Sequence, residues 1–116
     1  MWTILGDKDF MIWYERLPEP EQDEIAAALA VLRTYGPNLG RPRVDSVKGS
    51  RHSNMKELRL QIAGDPWRIL FAFDPDRAAI LLVGGNKGGS DRWYKTNLPI
   101  ADERFQNHLD RLENRG

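Results

Sequence analysis

The feature that most limits the possible folds is a run of three strand-like segments separated only by short turns. KELRLQI (56–62) alternates strictly between apolar and polar residues, which is the period of a strand with one buried face. WRILFAF (67–73) alternates more loosely, and AAILLV (78–83) is apolar throughout, as expected for a strand covered on both faces. The connections, GDP (64–66) and DPDR (74–77), are tight turns. The three strands are therefore predicted to form an antiparallel meander.

A helical pattern precedes this meander. Apolar side chains at Phe10, Trp13, Tyr14 and Leu17 follow the spacing of one helix face, so a helix is predicted over residues 7–17. The sequence PEP then interrupts it, because proline removes a backbone donor and restricts the residue before it.

A second helix is predicted to begin near Pro20, which suits a first helical turn, and to end at the Gly36-Pro37 pair. The remaining elements are, in chain order, a short strand at residues 2–5, an irregular basic loop at residues 37–54 with one short strand or turn near Val44–Val47, and a last helix from Pro99. The resulting order, β-α-α-β-β-β-α, predicts one α+β domain over residues 1–116, with helices packed on a sheet.

Composition excludes several kinds of protein. A chain of 116 residues is long enough for one domain with its own core. Without cysteine it has no disulfide framework, thiolate nucleophile or cysteine metal site, and His52 and His108 are too far apart in sequence to suggest a histidine metal site. No apolar run approaches the ~20 residues of a membrane helix, and the N-terminus lacks a signal-peptide core. We therefore expect a cytosolic protein without cofactor or metal.

The formal net charge is zero, but the charges are unevenly distributed. Residues 1–40 contain seven acidic and three basic side chains, whereas residues 41–68 contain seven basic and three acidic ones. A neutral protein can thus present one basic face, although an ordinary solvated surface would give the same pattern. Arginine outnumbers lysine twelve to five, and its planar guanidinium suits bidentate contacts with phosphate.

The glycine-rich stretch GGNKGGSDRWYK (84–95) raises the question of nucleotide binding. A P-loop has the pattern G-x-x-x-x-G-K-[ST] and leads directly into a helix. Here Lys87 is followed by two glycines, and the next predicted helix begins only at Pro99. We therefore interpret the glycines as a turn that brings Lys87 and Tyr94 to the edge of the sheet.

Strand alternation brings charged side chains onto one face of the meander. Glu57 and Arg59 share the polar face of their strand, and the hairpin brings Arg68 near them. Such residues often form only an exposed cross-strand ion pair, worth less than about 1 kcal/mol. However, Arg68 lies in an otherwise apolar strand, where a charged residue is unusual unless it has a specific role.

The same residues suit cleavage of RNA by its own 2′-hydroxyl, which requires a base, an acid and positive charge around the transition state. Glu57 is the candidate base, and Tyr94 is a candidate for base stacking or proton transfer. His52 is a weaker acid–base candidate, or a surface histidine without a role. The residues predicted to hold the phosphate are Arg59, Arg68 and Lys87. Those predicted to contact the rest of the RNA are Lys48, Arg51, His52, Lys56, Arg92, Trp93 and Lys95.

Several strings also resemble, in order, sequences of the RelE/ParE toxin superfamily, and most closely its HigB-like, phage-derived branch. They are GPNLGRP (36–42), VDSVKGSRH (44–52), NMKELRL (54–60), WRILFAFD (67–74), ILLVGGNK (80–87) and RWYK (92–95). The resemblance covers residues 10–112. It implies the element order given above, with a curved antiparallel sheet. It also implies the toxin of a type II toxin–antitoxin system, a metal-independent nuclease that cuts mRNA in the ribosomal A site.

The resemblance carries over to individual residues. Arg59, Arg68, Lys87 and Tyr94 match the basic and tyrosine positions of the RelE-like nucleases. Glu57 departs from RelE, which has lysine there, although HigB-like members often have glutamate. The proton-transfer assignment is therefore open, and Lys56 or His52 could share it.

The implied partners are mRNA, the ribosome and a helix-turn-helix, HigA-like antitoxin, with operator DNA contacted only through the antitoxin complex. The ParE branch has the same fold but poisons gyrase and lacks the ribonuclease residues. A gyrase poison, or a non-catalytic module that binds RNA or protein, is the alternative interpretation.

Overall fold

A computed structural model describes residues 1–115 as a five-stranded sheet with helices on both faces. The elements are β1 (Thr3–Gly6), α1 (Lys8–Glu15), α2 (Glu19–Tyr35), a 3-10 turn (Gly36–Asn38), β2 (Val44–Ser46), β3 (Lys56–Ile62), β4 (Asp65–Phe73), β5 (Ala78–Asn86) and α3 (Arg92–Asn114). The predicted α+β class is confirmed, and so are the helix pair, the short strand in the basic loop and the three-stranded meander.

The strand order across the sheet is β1-β5-β4-β3-β2. Strands β2 to β5 pair antiparallel with their neighbours, as predicted, but β1 pairs parallel with β5, with Thr3 opposite Ala78. The sheet is therefore mixed. A short turn forces an antiparallel neighbour, whereas β1 reaches β5 only through two helices and three other strands, so the meander pattern did not determine its direction.

Two apolar clusters lie on opposite faces of the sheet. On one face, α1 and α2 bury Phe10, Ile25 and Leu32 against β3 to β5. On the other face, α3 buries its own side chains Leu98 and Phe105 against β4 and β5. Strand β5 contributes to both clusters, which explains why it is apolar throughout.

The predicted start of the last helix at Pro99 is wrong, because α3 begins at Arg92. Pro99 lies inside the helix, where it cannot donate a backbone hydrogen bond and usually ends or kinks a helix. Trp93 before the proline and Leu98, Ala101 and Phe105 around it all pack on the sheet, and this packing keeps the helix continuous. Trp93 and Tyr94 consequently lie in the first turn of a helix rather than in a loop.

Gly84 and Gly85 belong to β5 rather than to a turn, and each accommodates an indole ring. A Cβ atom at Gly84 would lie 2.5 Å from the ring of Trp13, and one at Gly85 would lie 2.9 Å from Nε1 of Trp93. The two tryptophans approach from opposite faces, since α1 and α3 cover opposite sides of the sheet. The left-handed backbone of the turn occurs only later, at Gly88, whose φ is 63°.

Replacement of Gly84 by alanine should therefore destabilise the fold. The added methyl group would displace the Trp13 ring in a packed layer, so Gly84→Ala is expected to lower the free energy of unfolding by about 1–3 kcal/mol in urea denaturation. Gly89→Ala is the matched control, because nothing lies within 4 Å of a Cβ atom at that glycine. Equal stability of the two variants would contradict the contact between Gly84 and Trp13.

Candidate functional site

The carboxylate of Glu57 lies at the centre of a charged cluster on the α3 side of the sheet. Its side chain is only 5% exposed. Oε2 accepts a hydrogen bond of 2.7 Å from Nε of Arg59, and Oε1 accepts one from the hydroxyl of Tyr94. Nε of Arg68 lies 3.8 Å from the same Oε1 atom. Both carboxylate oxygens are therefore occupied.

The strand register explains why these residues meet. Arg59 and Arg68 are directly opposite each other on β3 and β4, and two like charges in that position destabilise a sheet. Glu57 precedes Arg59 by two residues, so its side chain lies on the same face and can contact both guanidinium groups. The predicted grouping of Glu57, Arg59 and Arg68 is thus present in the structure.

Asp45 is a second carboxylate of this cluster that the sequence analysis did not identify. It is opposite Glu57 on β2, and its Oδ2 atom lies 3.4 Å from Nη2 of Arg59 and 3.5 Å from Nε of Arg41. The short apolar–polar alternation of β2 was the available signal, but the surrounding loop has no period that would fix the strand's register. Asp45 balances Arg59 on the side away from Arg68.

Tyr94 reaches the cluster from the first turn of α3. Burial, followed by the hydrogen bond to Glu57, raises the pKa of Tyr94 to about 12. The phenol is consequently protonated at neutral pH and donates to Glu57. The hydrogen bond to Glu57 likewise raises the pKa of Arg59 above its ordinary value, so that this guanidinium stays charged.

Lys87 adjoins the ring of Tyr94. Its Nζ atom lies 6.0 Å from the ring centroid, within the range of a cation–π contact. The backbone N–H of Lys87 donates to the carbonyl of Pro66 at 2.8 Å, which fixes the end of β5 against the start of β4. The structure thus brings together all five residues predicted to be catalytic.

The residues predicted to bind RNA are divided between two concave surfaces on either side of Tyr94. A cleft of about 860 Å³ is lined by Lys48, Arg51 and Lys95, and Tyr94 forms part of its wall. A shallower hollow of about 450 Å³ is lined by the remaining basic and aromatic candidates, Lys87, Arg92 and Trp93.

Two other candidates lie outside this arrangement. Lys56 is opposite Phe71 in the sheet, and strand alternation places it on the face covered by α1 and α2, away from Glu57. The ring of His52 packs edge-on against Phe105 at 5.0 Å, and its Nε2 atom is buried without a hydrogen-bond partner. Neither side chain is therefore near enough to share proton transfer with Tyr94.

Two general observations concern residues 1–115. No helix in this range is both long and apolar enough to cross a bilayer. The same residues contain no group of three or more His, Asp or Glu side chains arranged to hold a metal ion.

Comparisons with solved structures identify the fold. The isolated RelE toxin of E. coli superposes with a TM-score of 0.59 at 9% identity, over 86% of this chain and 99% of RelE. A chain of the intact E. coli RelBE toxin–antitoxin complex gives a TM-score of 0.56 at 7% identity, over 74% of this chain and 96% of that one. At such low identity the likeness establishes a shared fold.

Sequence comparisons identify the family. The model of the phage-derived Gp49-like proteins matches residues 13–106, which include the whole charged cluster. The toxin candidate HigB3 of Mycobacterium tuberculosis is 51% identical over 98 residues, covering 84% of each chain. The toxin candidate HigB2 of the same organism is 48% identical over 103 residues, covering 87% of this chain and 51% of its own length. The chain belongs to the phage-derived Gp49-like family, has HigB-type relatives at about half identity, and shares the fold of E. coli RelE.

Proposed function

We propose that the protein is the toxin of a type II toxin–antitoxin system and acts as a metal-independent endoribonuclease. Its proposed substrate is mRNA in the ribosomal A site, so that cleavage stops translation and growth. The observation that carries this proposal is the Glu57 carboxylate, which gathers one tyrosine and two arginines on a single sheet face. The fold shared with E. coli RelE and the similarity to the HigB toxin candidates support it.

In the proposed reaction, the 2′-hydroxyl of one nucleotide attacks the neighbouring phosphorus atom, and the bond from phosphorus to the 5′-oxygen breaks. Negative charge accumulates on the non-bridging phosphate oxygens during this step. Arg59, Arg68 and Lys87 supply the positive charge that stabilises it, which is usually the largest contribution to catalysis of this kind. Because the arginines are held by Glu57 beforehand, little reorganisation is needed when RNA binds.

Glu57 acts through Tyr94 rather than directly on the RNA. Both of its oxygens are occupied and its side chain is 5% exposed, so a substrate hydroxyl cannot reach it while Tyr94 is in place. Tyr94 therefore takes the proton from the 2′-hydroxyl and passes its own proton to Glu57. The ammonium group of Lys87, beside the Tyr94 ring, donates a proton to the leaving 5′-oxygen. Tyr94 is the group at the reacting atoms in this scheme, and Glu57 is the proton acceptor behind it.

The proposed protein partner is a small helix-turn-helix antitoxin of the HigA type, which would carry all contacts with operator DNA. The E. coli RelBE complex, whose toxin has this fold, supports an antitoxin partner. The proposed location is the cytoplasm, where both ribosomes and antitoxin would be met. A helix-turn-helix reading frame beside the gene, whose product prevents growth arrest on co-expression, would test this partner.

A gyrase poison of the ParE kind is the rival function, and RNA sequencing separates the two. Mapping the 5′ ends of cellular mRNA after induction should reveal new ends at codon-spaced positions. DNA damage with intact mRNA would instead favour the gyrase poison and overturn the nuclease.

Removal of a phosphate-holding cation should abolish growth arrest. Arg68→Ala and Lys87→Ala are each expected to lower the cleavage rate on the order of 10²–10³-fold, because each removes preorganised positive charge. Far-UV circular dichroism should show that both variants fold, because Glu57 still accepts its hydrogen bonds from Arg59 and Tyr94. The control is Lys56→Ala, which removes a cation from the opposite sheet face and should leave toxicity intact. Full toxicity of the first two variants would refute the assignment.

The raised pKa of Tyr94 predicts a specific dependence of stability on pH. Because the pKa is about 12 in the folded protein and 10.0 in an ordinary tyrosine, the folded state holds the phenolic proton more tightly. This stabilisation is complete below pH 10 and is lost as the pH rises to 12. Urea denaturation at several pH values should therefore show the advantage of the wild type over Tyr94→Phe shrinking in that interval.

Tyr35→Phe provides the control for this measurement, because Tyr35 is 56% exposed on α2. Its free energy of unfolding should follow that of the wild type at each pH. Parallel curves for the wild type and Tyr94→Phe between pH 10 and 12 would contradict the buried hydrogen bond to Glu57.

A further inference from the structure

The cleft beside Tyr94 contains side chains that the proposed reaction does not use. It lies between the loop at residues 48–51 and the helix α3, and it measures about 860 Å³. Three cations, Lys48, Arg51 and Lys95, line it, together with the apolar surfaces of Leu98 and Pro99. Tyr94 forms the wall nearest the Glu57 cluster. The cleft is therefore continuous with the proposed reaction centre.

A buried carboxylate holds the loop that forms one side of the cleft. Asp102 of α3 is 4% exposed, and it accepts hydrogen bonds from Oγ of Ser50 at 2.5 Å and from the backbone N–H of Arg51 at 3.1 Å. Oγ of Ser50 in turn accepts from the backbone N–H of His52 at 2.9 Å. The His52 ring packs against Phe105 and so fixes the end of the same loop to α3. These contacts form the cleft before any ligand binds.

We propose that this cleft is a nucleotide subsite, which holds the unpaired base and the phosphate next to the bond that is cut. Asp102 is its positioning residue. The inference rests on the proposed nuclease function and adds a location for the substrate. An apolar floor suits the face of an unpaired base, and exposed cations suit its phosphate. The volume also lies within the range of small-molecule sites.

The charge distribution along the cleft fixes the direction of the bound nucleotide. Lys95 is adjacent to Tyr94, whereas Glu103, which also lines the cleft, follows Lys95 by eight helical residues, or about 12 Å along α3. Arg51 lies at the other end, where its Nε atom is 4.0 Å from Oδ2 of the buried Asp102. Lys95 is therefore the cation beside the reacting bond, so the phosphate is held at the Lys95 end and the base extends towards Glu103. A carboxylate at the base end can accept a hydrogen bond from an exocyclic amino group.

Photochemical crosslinking with the full-length chain would locate the base. The probe is a short single-stranded RNA, free or in the A site of a ribosome, with 2′-O-methyl groups that block cleavage at a bond cut in the unmodified RNA. A 4-thiouridine replaces the base on one side of this bond or on the other. We expect crosslinks from one of these probes to peptides that contain residues 48–51 and 95–99. Crosslinks confined to residues 87–93, in the hollow on the other side of Tyr94, would overturn the subsite.

Variants that lack the lysines lining the cleft test whether these cations bind the phosphate. A double variant, Lys48→Ala with Lys95→Ala, should lower the crosslinking yield and the cleavage rate at least about tenfold, since two charged contacts to phosphate are lost. The matched control is Lys8→Ala with Arg16→Ala, which removes two exposed cations around α1 and should behave like the wild type. If the double variant at Lys48 and Lys95 cut and crosslinked RNA at wild-type levels, the subsite would be refuted.

The variant Asp102→Asn tests whether Asp102 positions the loop at residues 48–51 or only stabilises the fold. It preserves the shape of the side chain but removes one of the two acceptors used by Ser50 and Arg51. Crosslinks to residues 48–51 should fall, while those to residues 95–99 on α3 should persist. An equal loss of both sets would indicate a merely structural residue and would contradict the positioning role.

The remaining outcomes distinguish the inference from the function on which it rests. A wild-type chain that cuts no RNA, with or without ribosomes, would overturn the nuclease and the subsite together. A wild-type chain that cuts RNA but crosslinks only outside the cleft would overturn the subsite alone. Protection of the cleft by the antitoxin, without any RNA crosslink there, would identify it as a protein-docking surface instead.

Discussion

Two arginines face each other across the hairpin of β3 and β4, and the carboxylate of Glu57 allows a folded sheet to hold them there. Without it, Arg59 and Arg68 would repel each other across the hairpin, and water would screen Arg68, at 15% exposure, less than Arg59, at 35%. Removal of one member of a partly buried charge group usually costs far more than its surface equivalent. The same carboxylate also fixes the hydroxyl of Tyr94. Sheet stability and the geometry of the site therefore depend on one side chain.

The position of α3 depends on a second constraint, which is the absence of side chains at Gly84 and Gly85. Each glycine leaves space for an indole, Trp13 from α1 on one face and Trp93 from α3 on the other. Trp93 immediately precedes Tyr94. Its contact with Gly85 therefore fixes the first turn of α3 on the sheet, in the position where the Tyr94 hydroxyl can bond to Glu57. The glycine pair that resembles a phosphate-binding loop in the sequence thus serves the packing of two indole rings against β5.

The local sequence pattern was sufficient to predict the three-stranded meander. It was insufficient to predict where the helix that completes the site begins. The alternation of residues 56–62 predicted β3 at its observed bounds, and from it the shared face of Glu57 and Arg59. The start of α3 was missed because proline favours the first turn of a helix, so that Pro99 indicated its beginning. The packing that extends the helix back to Arg92 involves the distant sheet.

The same distinction explains the individual site residues. Lys56 adjoins Glu57 in sequence, but the two-residue period of a strand puts it on the opposite face. His52 lies among basic residues in sequence, yet its ring is directed at Phe105 by contacts between the loop and α3. Asp45 could be recognised only once β2 was registered against β3. The position of Lys56 thus follows from its own strand, whereas those of His52 and Asp45 depend on non-local contacts, which a single sequence reports weakly.

The location of Tyr94 on the last helix has a consequence for how such a chain is made. The five strands and the Glu57 carboxylate all precede residue 92, whereas the tyrosine and Lys95 belong to the 23-residue helix α3 that follows them in the chain. Domains generally fold as units, so the cluster is complete only when α3 has been translated and has packed on the sheet. A chain interrupted before α3 would contain both arginines and their carboxylate but would lack the phenol.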